Sequence, residues 1–281
     1  MKKIGFIDYF LDEWHAEKYP DWIKEASGGE LQVAYAYGLI DAPNGRTNAA
    51  WCEAHGVELL DSIEAVVERS DCLVVLSPDH PEQHEALCQI PLRSGKPTYV
   101  DKTFAPDRET AIRLFELAAA NGTPIFSTSA LRYATEYDGA ASLDIATIHS
   151  VGPGRFDNYS IHQIEPVIAL MRGTPDRVMA IGTPEAPAML IGFADGRQAA
   201  IHHFGWECPF AMTLNDKDGH AHTLKVESDF FAAFVRRMVK FFETAAPPVA
   251  PEETIAIASV IETGLRALET PYEWVPIPAT A

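Results

Sequence analysis

The sequence has few basic residues for its length. In 281 residues, 22 Lys and Arg face 40 Asp and Glu, which gives a formal net charge of -18 at pH 7. Proteins bind nucleic acid through clustered Lys and Arg that neutralise phosphates, and this charge balance opposes such binding. We therefore exclude nucleic acid as a partner and expect a small, neutral or weakly anionic ligand.

Cysteine and long apolar runs are also scarce. The four cysteines, Cys52, Cys72, Cys88 and Cys208, lie in or beside apolar segments and show no CxxC spacing, which favours reduced, packed thiols. No run approaches the roughly 18 apolar residues of a membrane span, and the first residues are typical of a strand rather than of a secretory signal. We expect a cytoplasmic protein without membrane contact.

Strand-like and helix-like segments alternate through the first half of the chain. Apolar runs at 3–7, 31–37, 57–60, 71–76, 97–100 and 124–127 predict strands, and the segments between them predict helices, among them one at 82–93. This alternation is typical of a doubly wound, parallel α/β sheet of the Rossmann type, which binds ligands at the carboxyl ends of its strands. We assign residues 1–128 to this nucleotide-binding-type domain.

The second half has a different pattern. Strand-like runs at 149–151, 189–193 and 198–204, with Asp195-Gly196 as a hairpin turn, precede two helices predicted at 229–244 and 252–269. The pattern predicts an α+β domain over residues 129–281, with an open and mostly antiparallel sheet.

Three segments in order carry a resemblance to a known family. They read DCLVVLSPDHPEQHEAL (71–87), GKPTYVDKTFAPDRETAIRLFELAAANGTPIF (95–126) and STSALRY (127–133). The chain resembles the Gfo/Idh/MocA family of glucose-fructose oxidoreductases and inositol dehydrogenases, with a weaker likeness extending to the C-terminus. The resemblance implies a nicotinamide-dependent oxidoreductase that acts on a hydroxyl group of a sugar, polyol or sugar acid. It also implies a homo-oligomer, a dimer or a tetramer.

The resemblance assigns roles to particular residues. Lys102 takes the place of the catalytic lysine, which hydrogen-bonds the reacting hydroxyl and assists its proton transfer. Contacts with NAD or NADP fall to the loops that follow two predicted strands: Ser77, Pro78, Asp79, His80 and Asp101.

The family's Asp-x-x-x-His pair falls on a predicted helix of the second domain, at Asn158 and His162. His162 becomes the acid–base group, Asn158 can only orient a hydroxyl, and Glu165 lies on the same helical face and can supply the carboxylate. Candidate substrate contacts are Arg132, Tyr133, His202 and Trp206. No metal is expected, although whether His15, His80, His84 or His202 binds one stays open.

One element of a dinucleotide-binding site is missing. No G-x-G-x-x-G follows the first strand, and Asp8 and Glu13 fall near the position of a diphosphate. Three alternatives follow. The chain is a nicotinamide-dependent oxidoreductase with a divergent loop, a cofactor-independent lyase, hydratase or isomerase that uses Lys102 and His162, or a non-catalytic binding protein.

Overall fold

The computed structural model describes residues 1–278. The chain forms two compact units: the first combines Met1–Thr128 with Phe234–Pro251, and the second combines Ser129–Ala233 with the chain from Glu252 onwards. Whether residues 1–128 and 129–281 are independent domains stays a prediction. Within residues 1–278, no helix has the length and apolar character needed to cross a membrane.

A parallel six-stranded sheet forms the centre of the first unit. Its strands lie in the spatial order β3-β2-β1-β4-β5-β6. The chain adds β2 and β3 on one side of β1 and then crosses over to add β4, β5 and β6 on the other, so the direction of winding reverses between β1 and β4. The strands and connecting helices follow one another as β1 (Lys2–Asp8), α1 (Trp14–Ala26), β2 (Leu31–Gly38), α2 (Asn48–His55), β3 (Glu58–Leu59), α3 (Ile63–Arg69), β4 (Cys72–Val75), α4 (His84–Leu87), β5 (Thr98–Val100), α5 (Arg108–Ala120) and β6 (Ile125–Phe126).

The sequence explains these elements. Strand β4 is buried along its whole length, as expected for the central strand of a sheet covered on both faces. The side chains of Thr47, Ser62 and Asp107 accept backbone N–H bonds at the starts of α2, α3 and α5. Gly56 ends α2 in the left-handed conformation, with φ of +64°.

One predicted helix is wrong. Residues 82–93 form the four-residue helix α4 flanked by short 3-10 turns at Pro81–Gln83 and Pro91–Arg93. Pro91 has no backbone N–H to donate, so a continuous helix cannot pass through it without losing a bond. The His84 ring fixes the short helix instead, because it bonds Leu76 O at 2.5 Å and Phe104 O at 3.0 Å.

A seven-stranded mixed sheet forms the second unit. Its order is β12-β11-β7-β10-β9-β8-β13, and β7 with β10 is the parallel pair in an otherwise antiparallel arrangement. The elements follow as β7 (Ile145–Gly152), α6 (Phe156–Met171), β8 (Pro175–Gly182), β9 (Pro187–Phe193), β10 (Gln198–His203), β11 (Ala211–Asp216), β12 (Ala221–Lys225), α7 (Phe230–Thr244), α8 (Pro251–Ala267) and β13 (Val275–Pro276). Helices α6 and α8 supply buried apolar residues to its core.

Most of α7 belongs to the first unit. Phe234 packs against Tyr19 and Tyr99, with ring centroids 5.9 and 5.5 Å apart, and Phe241 packs against Phe126 at 4.7 Å. The predicted fold class is confirmed: a Rossmann-like parallel sheet and an α+β unit with a mostly antiparallel sheet.

Candidate functional site

The carboxyl edge of the parallel sheet brings together several predicted residues. Lys102 follows β5 by two residues and is buried, with 8% of its surface exposed. Its Nζ donates to Pro78 O at 3.3 Å and lies 3.7 Å from Asp79 Oδ1. The loop after β4 therefore holds the lysine that follows β5, at the edge where ligands bind to sheets of this class.

Asp101 lies at the centre of a buried polar cluster. Its Oδ1 accepts from Tyr99 Oη at 2.9 Å and from Lys102 N at 2.8 Å, and its Oδ2 pairs with His15 Nδ1. Burial alone would raise the pKa of Asp101, but His15 and Lys102 hold it below its usual value. Asp101 is fully buried, and its hydrogen bonds hold the neighbouring Tyr99, Lys102 and His15 in place.

The His15 ring is the partner of that carboxylate. Burial alone would lower the pKa of His15, but the Asp101 charge and hydrogen bond raise it above its usual value. The ring is stacked on Tyr19, with centroids 5.1 Å apart and 9° between the planes. Asp101 on one ring nitrogen and Tyr19 on one ring face thus fix the orientation of the imidazole.

Asp8 ends β1 on the same edge. Its Oδ1 accepts from Ser77 Oγ at 2.8 Å and from Tyr9 N at 2.7 Å, while Oδ2 is buried and makes no hydrogen bond within residues 1–278. Burial raises the pKa of Asp8 well above its usual value, and the Ser77 hydroxyl opposes this. Ser77 itself has φ of +83°, so it is fixed in a strained backbone conformation beside Asp8.

Glu13 occupies the N-terminus of α1. Its carboxylate accepts from His15 N at 2.7 Å and also from Ala16 N. Burial and the nearby Asp8 raise the pKa of Glu13 to about 8. The first backbone N–H groups of α1, which in a dinucleotide-binding protein point at the diphosphate, are therefore bound by the chain's own side chain.

The ends of β1 and β2 are joined by Asn48. Its Oδ1 accepts from Leu11 N at 3.0 Å, and its Nδ2 donates to Gly38 O at 3.1 Å and to Ile40 O at 2.7 Å. A Cβ atom on Gly38 would collide with this amide, so the close approach requires glycine. Asp41 accepts from Asn48 N at 2.7 Å and is thereby used at the start of α2.

These contacts test whether a dinucleotide fits. The diphosphate of such a cofactor rests on the first N–H groups after β1, and its ribose is held by an acidic residue near the end of β2. Here Glu13 binds the first N–H groups of α1, Asn48 bridges the residues that follow β1 and β2, and Asp41 accepts from Asn48 N. The residues present do not fit a dinucleotide in this position.

Aromatic side chains lie near the carboxyl edge of the parallel sheet. Tyr9 and Phe10 pack on His80, with ring centroids 5.0 and 5.7 Å apart, and His80 Nδ1 lies 3.1 Å from Glu82 Oε1. Trp14 is 49% exposed beside His15. Aromatic faces of this kind can stack on the apolar face of a sugar ring.

In the second unit, His162 lies half-buried on α6. Its Nδ1 is 2.8 Å from Ser129 Oγ, and its ring packs edge-on against Tyr159 at 5.0 Å. Tyr159 in turn contacts Trp206 at 4.9 Å, and Trp206 is 63% exposed. The structure thus places two predicted site residues, His162 and Trp206, on either side of one tyrosine.

Glu165 is buried in the second unit beside Ser129 and Arg132. It is 1% exposed, accepts from Ser129 N at 2.6 Å and lies 3.7 Å from Arg132 Nη1. Arg132 also donates to Glu253 Oε2 at 2.7 Å, so its charge is shared between two carboxylates of the same unit. Tyr133 follows Arg132 in a 3-10 turn and is half-buried.

The remaining predicted residues lie elsewhere in the second unit. His202 pairs with His149 at 2.8 Å, whereas the next residue, His203, is fully buried against Phe156 of α6. Because alternate residues of a strand face opposite sides, His202 is on the sheet face away from α6. Asn158 is exposed near the start of α6.

Sequence reasoning missed the pairing of His15 with Asp101 and the contribution of Tyr99. His15 and Asp101 are 86 residues apart, and local periodicity carries no signal for such a contact. Within residues 1–278, no group of three or more His, Cys, Asp or Glu side chains is arranged to hold a metal ion.

Comparison with known proteins gives the fold. No protein-family model matches the chain, and no curated protein matches its sequence. Among solved structures, it is similar to the myo-inositol dehydrogenase of Lactobacillus casei in complex with NAD(H) and myo-inositol: the TM-score is 0.83 and the identity 12%, over 100% of this chain and 98% of that one.

Two further solved structures are similar to this chain. GenD2 from gentamicin A biosynthesis, in complex with NAD, has a TM-score of 0.79 and 13% identity, over 99% of this chain and 97% of that one. The dehydrogenase MviM from Clostridium difficile has a TM-score of 0.72 and 17% identity, over 95% and 99%. The chain therefore has the fold of these dehydrogenases along nearly its whole length.

Proposed function

We propose that the chain is a cofactor-independent acid–base enzyme, of the isomerase, lyase or hydratase type, acting on a sugar, polyol or sugar acid. Lys102 is the group that hydrogen-bonds the reacting hydroxyl or carbonyl oxygen and exchanges a proton with it. The observation that carries the proposal is the Glu13 carboxylate on the first N–H groups of α1.

Two features support Lys102 in this role. It lies at the carboxyl edge of the sheet, and its ammonium group is largely withdrawn from water beside Pro78 O and Asp79. A lysine presents rotatable N–H donors at the end of a flexible stem, and it is one of the side chains that transfer protons in enzymes. The nearby aromatic rings and carboxyl groups suit a polyhydroxylated ligand.

The occupied start of α1 supports the cofactor-independent class. His15 N and Ala16 N, the first N–H groups of α1, are bound by the Glu13 side chain. A dinucleotide in the usual pose would have to displace that side chain before its diphosphate could reach these donors.

The test is an isotope assay that needs no knowledge of the product. The protein is incubated in D2O with a panel of aldoses, ketoses and sugar acids, and deuterium entering carbon positions is followed by NMR. We expect incorporation without any added nicotinamide, and a loss of about 100-fold or more in Lys102→Gln. Lys18→Gln, which removes an exposed lysine from the same unit, is the matched control and should behave as wild type.

Calorimetric titration with NAD(H) and NADP(H) separates the alternatives. The proposal expects no binding heat at millimolar cofactor. Binding in the micromolar range, together with substrate-dependent reduction of NAD or NADP, would refute it.

A nicotinamide-dependent sugar or polyol oxidoreductase is the second candidate. It is favoured by the fold, which resembles dehydrogenases solved with NAD or NAD(H), and by the position of Lys102. It requires the loop between β1 and α1 to rearrange so that Glu13 leaves the helix N-terminus. Cofactor binding in the titration would select this candidate.

A further inference from the structure

His15 and Asp101 form a dyad that the resemblance does not assign. Asp101 Oδ2 pairs with His15 Nδ1, and Asp101 is the residue before Lys102 in the chain. A carboxylate on one ring nitrogen fixes the orientation and tautomer of a histidine and leaves the other nitrogen, Nε2, to exchange a proton. The dyad therefore has the form of an acid–base group rather than that of an isolated packing residue.

The surroundings of the dyad restrict its motion. Tyr19 stacks on the imidazole, and Tyr99 Oη donates to the Asp101 oxygen that does not pair with His15. The Asp101 side chain is fully buried, whereas 11% of the His15 side chain reaches solvent. Within residues 1–278, no hydrogen bond involves His15 Nε2. The carboxylate is thus internal, and the ring is the member of the pair that a ligand can reach.

The charges around the ring come from two parts of the chain, the start of α1 and the residues after β5. Asp101, after β5, and Glu13, at the start of α1, favour the protonated ring, while Lys102 opposes it. Tyr19 of α1 covers one face of the ring without adding a charge at neutral pH. Asp101 and Glu13 therefore make the His15 ring a stronger base than a free imidazole.

We infer that His15 is a second acid–base group of the first unit, exchanging a proton through Nε2, and that Asp101 is its positioning residue. This inference rests on the proposed function and extends it. With a keto sugar as substrate, the Lys102 ammonium gives a proton to the carbonyl oxygen. The bond between hydrogen and the adjacent carbon breaks, and that proton goes to Nε2 of the neutral His15 imidazole.

The electron pair of the broken carbon–hydrogen bond forms a carbon–carbon double bond, so the product of this step is a neutral enediol. Return of a proton to either carbon regenerates a carbonyl, and in D2O the returned atom is deuterium. Both enzyme groups recover their starting protonation in the reverse transfer, so no oxidant, reductant or further reactant is required.

The deuterium assay tests the dyad with three variants. His15→Gln should lower the incorporation rate by about 100-fold or more, the usual contribution of a positioned acid–base group. Asp101→Asn removes the negative charge that favours the protonated ring, so it should shift the pH profile to lower pH. If that variant does not fold, the pH at which His15 of the wild type reacts with diethyl pyrocarbonate tests the pair. His55→Gln is the matched control, because His55 packs on Trp51 of α2 and lies outside the dyad. Full incorporation by His15→Gln with an unchanged pH profile would overturn the inference.

A chemical measurement separates failure of the dyad from failure of the proposed function. If wild-type protein incorporates no deuterium from any substrate, the proposed function fails, and His15 is then judged by its reaction with diethyl pyrocarbonate, followed by peptide mass spectrometry. We expect half-maximal reactivity above pH 6.5 in wild type and at a lower pH in Asp101→Asn. Equal midpoints, or an unreactive His15 at pH 8, would refute the dyad.

Discussion

Replacing Glu13 by Gln should leave the fold in place and change how the free energy of unfolding depends on pH. The pKa of Glu13 is raised from 4.5 to about 8 by burial and by Asp8. An acid whose folded-state pKa is raised stabilises the folded form while it is protonated, and this stability is lost as the pH rises from 4.5 towards 8. The carboxyl group therefore makes wild-type protein progressively less stable across this interval.

The size of the effect follows from linkage. Each pH unit within the interval costs about 1.4 kcal/mol, so between pH 5 and pH 7.5 the wild-type protein should lose about 3 kcal/mol through this one group. Glutamine keeps an acceptor for the N–H groups of α1 but does not titrate. Replacing the Glu cap of α1 by Gln costs about 1 kcal/mol of stability at every pH. This loss therefore does not affect how the difference between the two proteins changes with pH.

Urea unfolding of wild type and Glu13→Gln at pH 5, 6, 7 and 7.5 measures this difference directly. We expect the free energy of unfolding of the variant to gain about 3 kcal/mol on that of wild type across the series. Parallel curves for the two proteins would show that Glu13 ionises normally, and would remove the argument that its carboxyl group is a buried part of the helix N-terminus.

Two further predictions concern the second unit. Gly264→Ala should cost about 1–3 kcal/mol of unfolding free energy, because its Cβ would lie 2.8 Å from Phe156 Cζ, whereas Gly139→Ala, with open space around it, should cost less than about 1 kcal/mol. Arg132→Met should cost about 3 kcal/mol of unfolding free energy, because it removes the guanidinium that lies beside the carboxylates of Glu165 and Glu253, as urea titration at pH 7 will measure.

The fold could be predicted because its signals are local. The buried run of β4 and the alternation of strands with helices are read within a few residues of each other, and the turn at Gly196 has the positive φ that its Asp-Gly sequence indicates. The helix predicted at 82–93 failed where a buried histidine and a proline overrode local preference.

The site could be predicted only in part, because its geometry depends on distant pairs. The position of Lys102 after β5 follows from the chain, but the contact of His15 with Asp101 spans 86 residues and that of Leu11 with Asn48 spans 37. Both contacts depend on which loops the folded sheet brings together, and single-sequence patterns do not encode that.

The path of α7 has a consequence for the order of folding during synthesis. The ribosome releases β1 to β6 first, but Phe234 and Phe241, which cover Tyr99 and Phe126, emerge more than a hundred residues later. Until then the parallel sheet keeps an uncovered apolar surface, of the kind that promotes aggregation of partly synthesised chains. The first unit therefore cannot complete its core until the residues of α7 have left the ribosome.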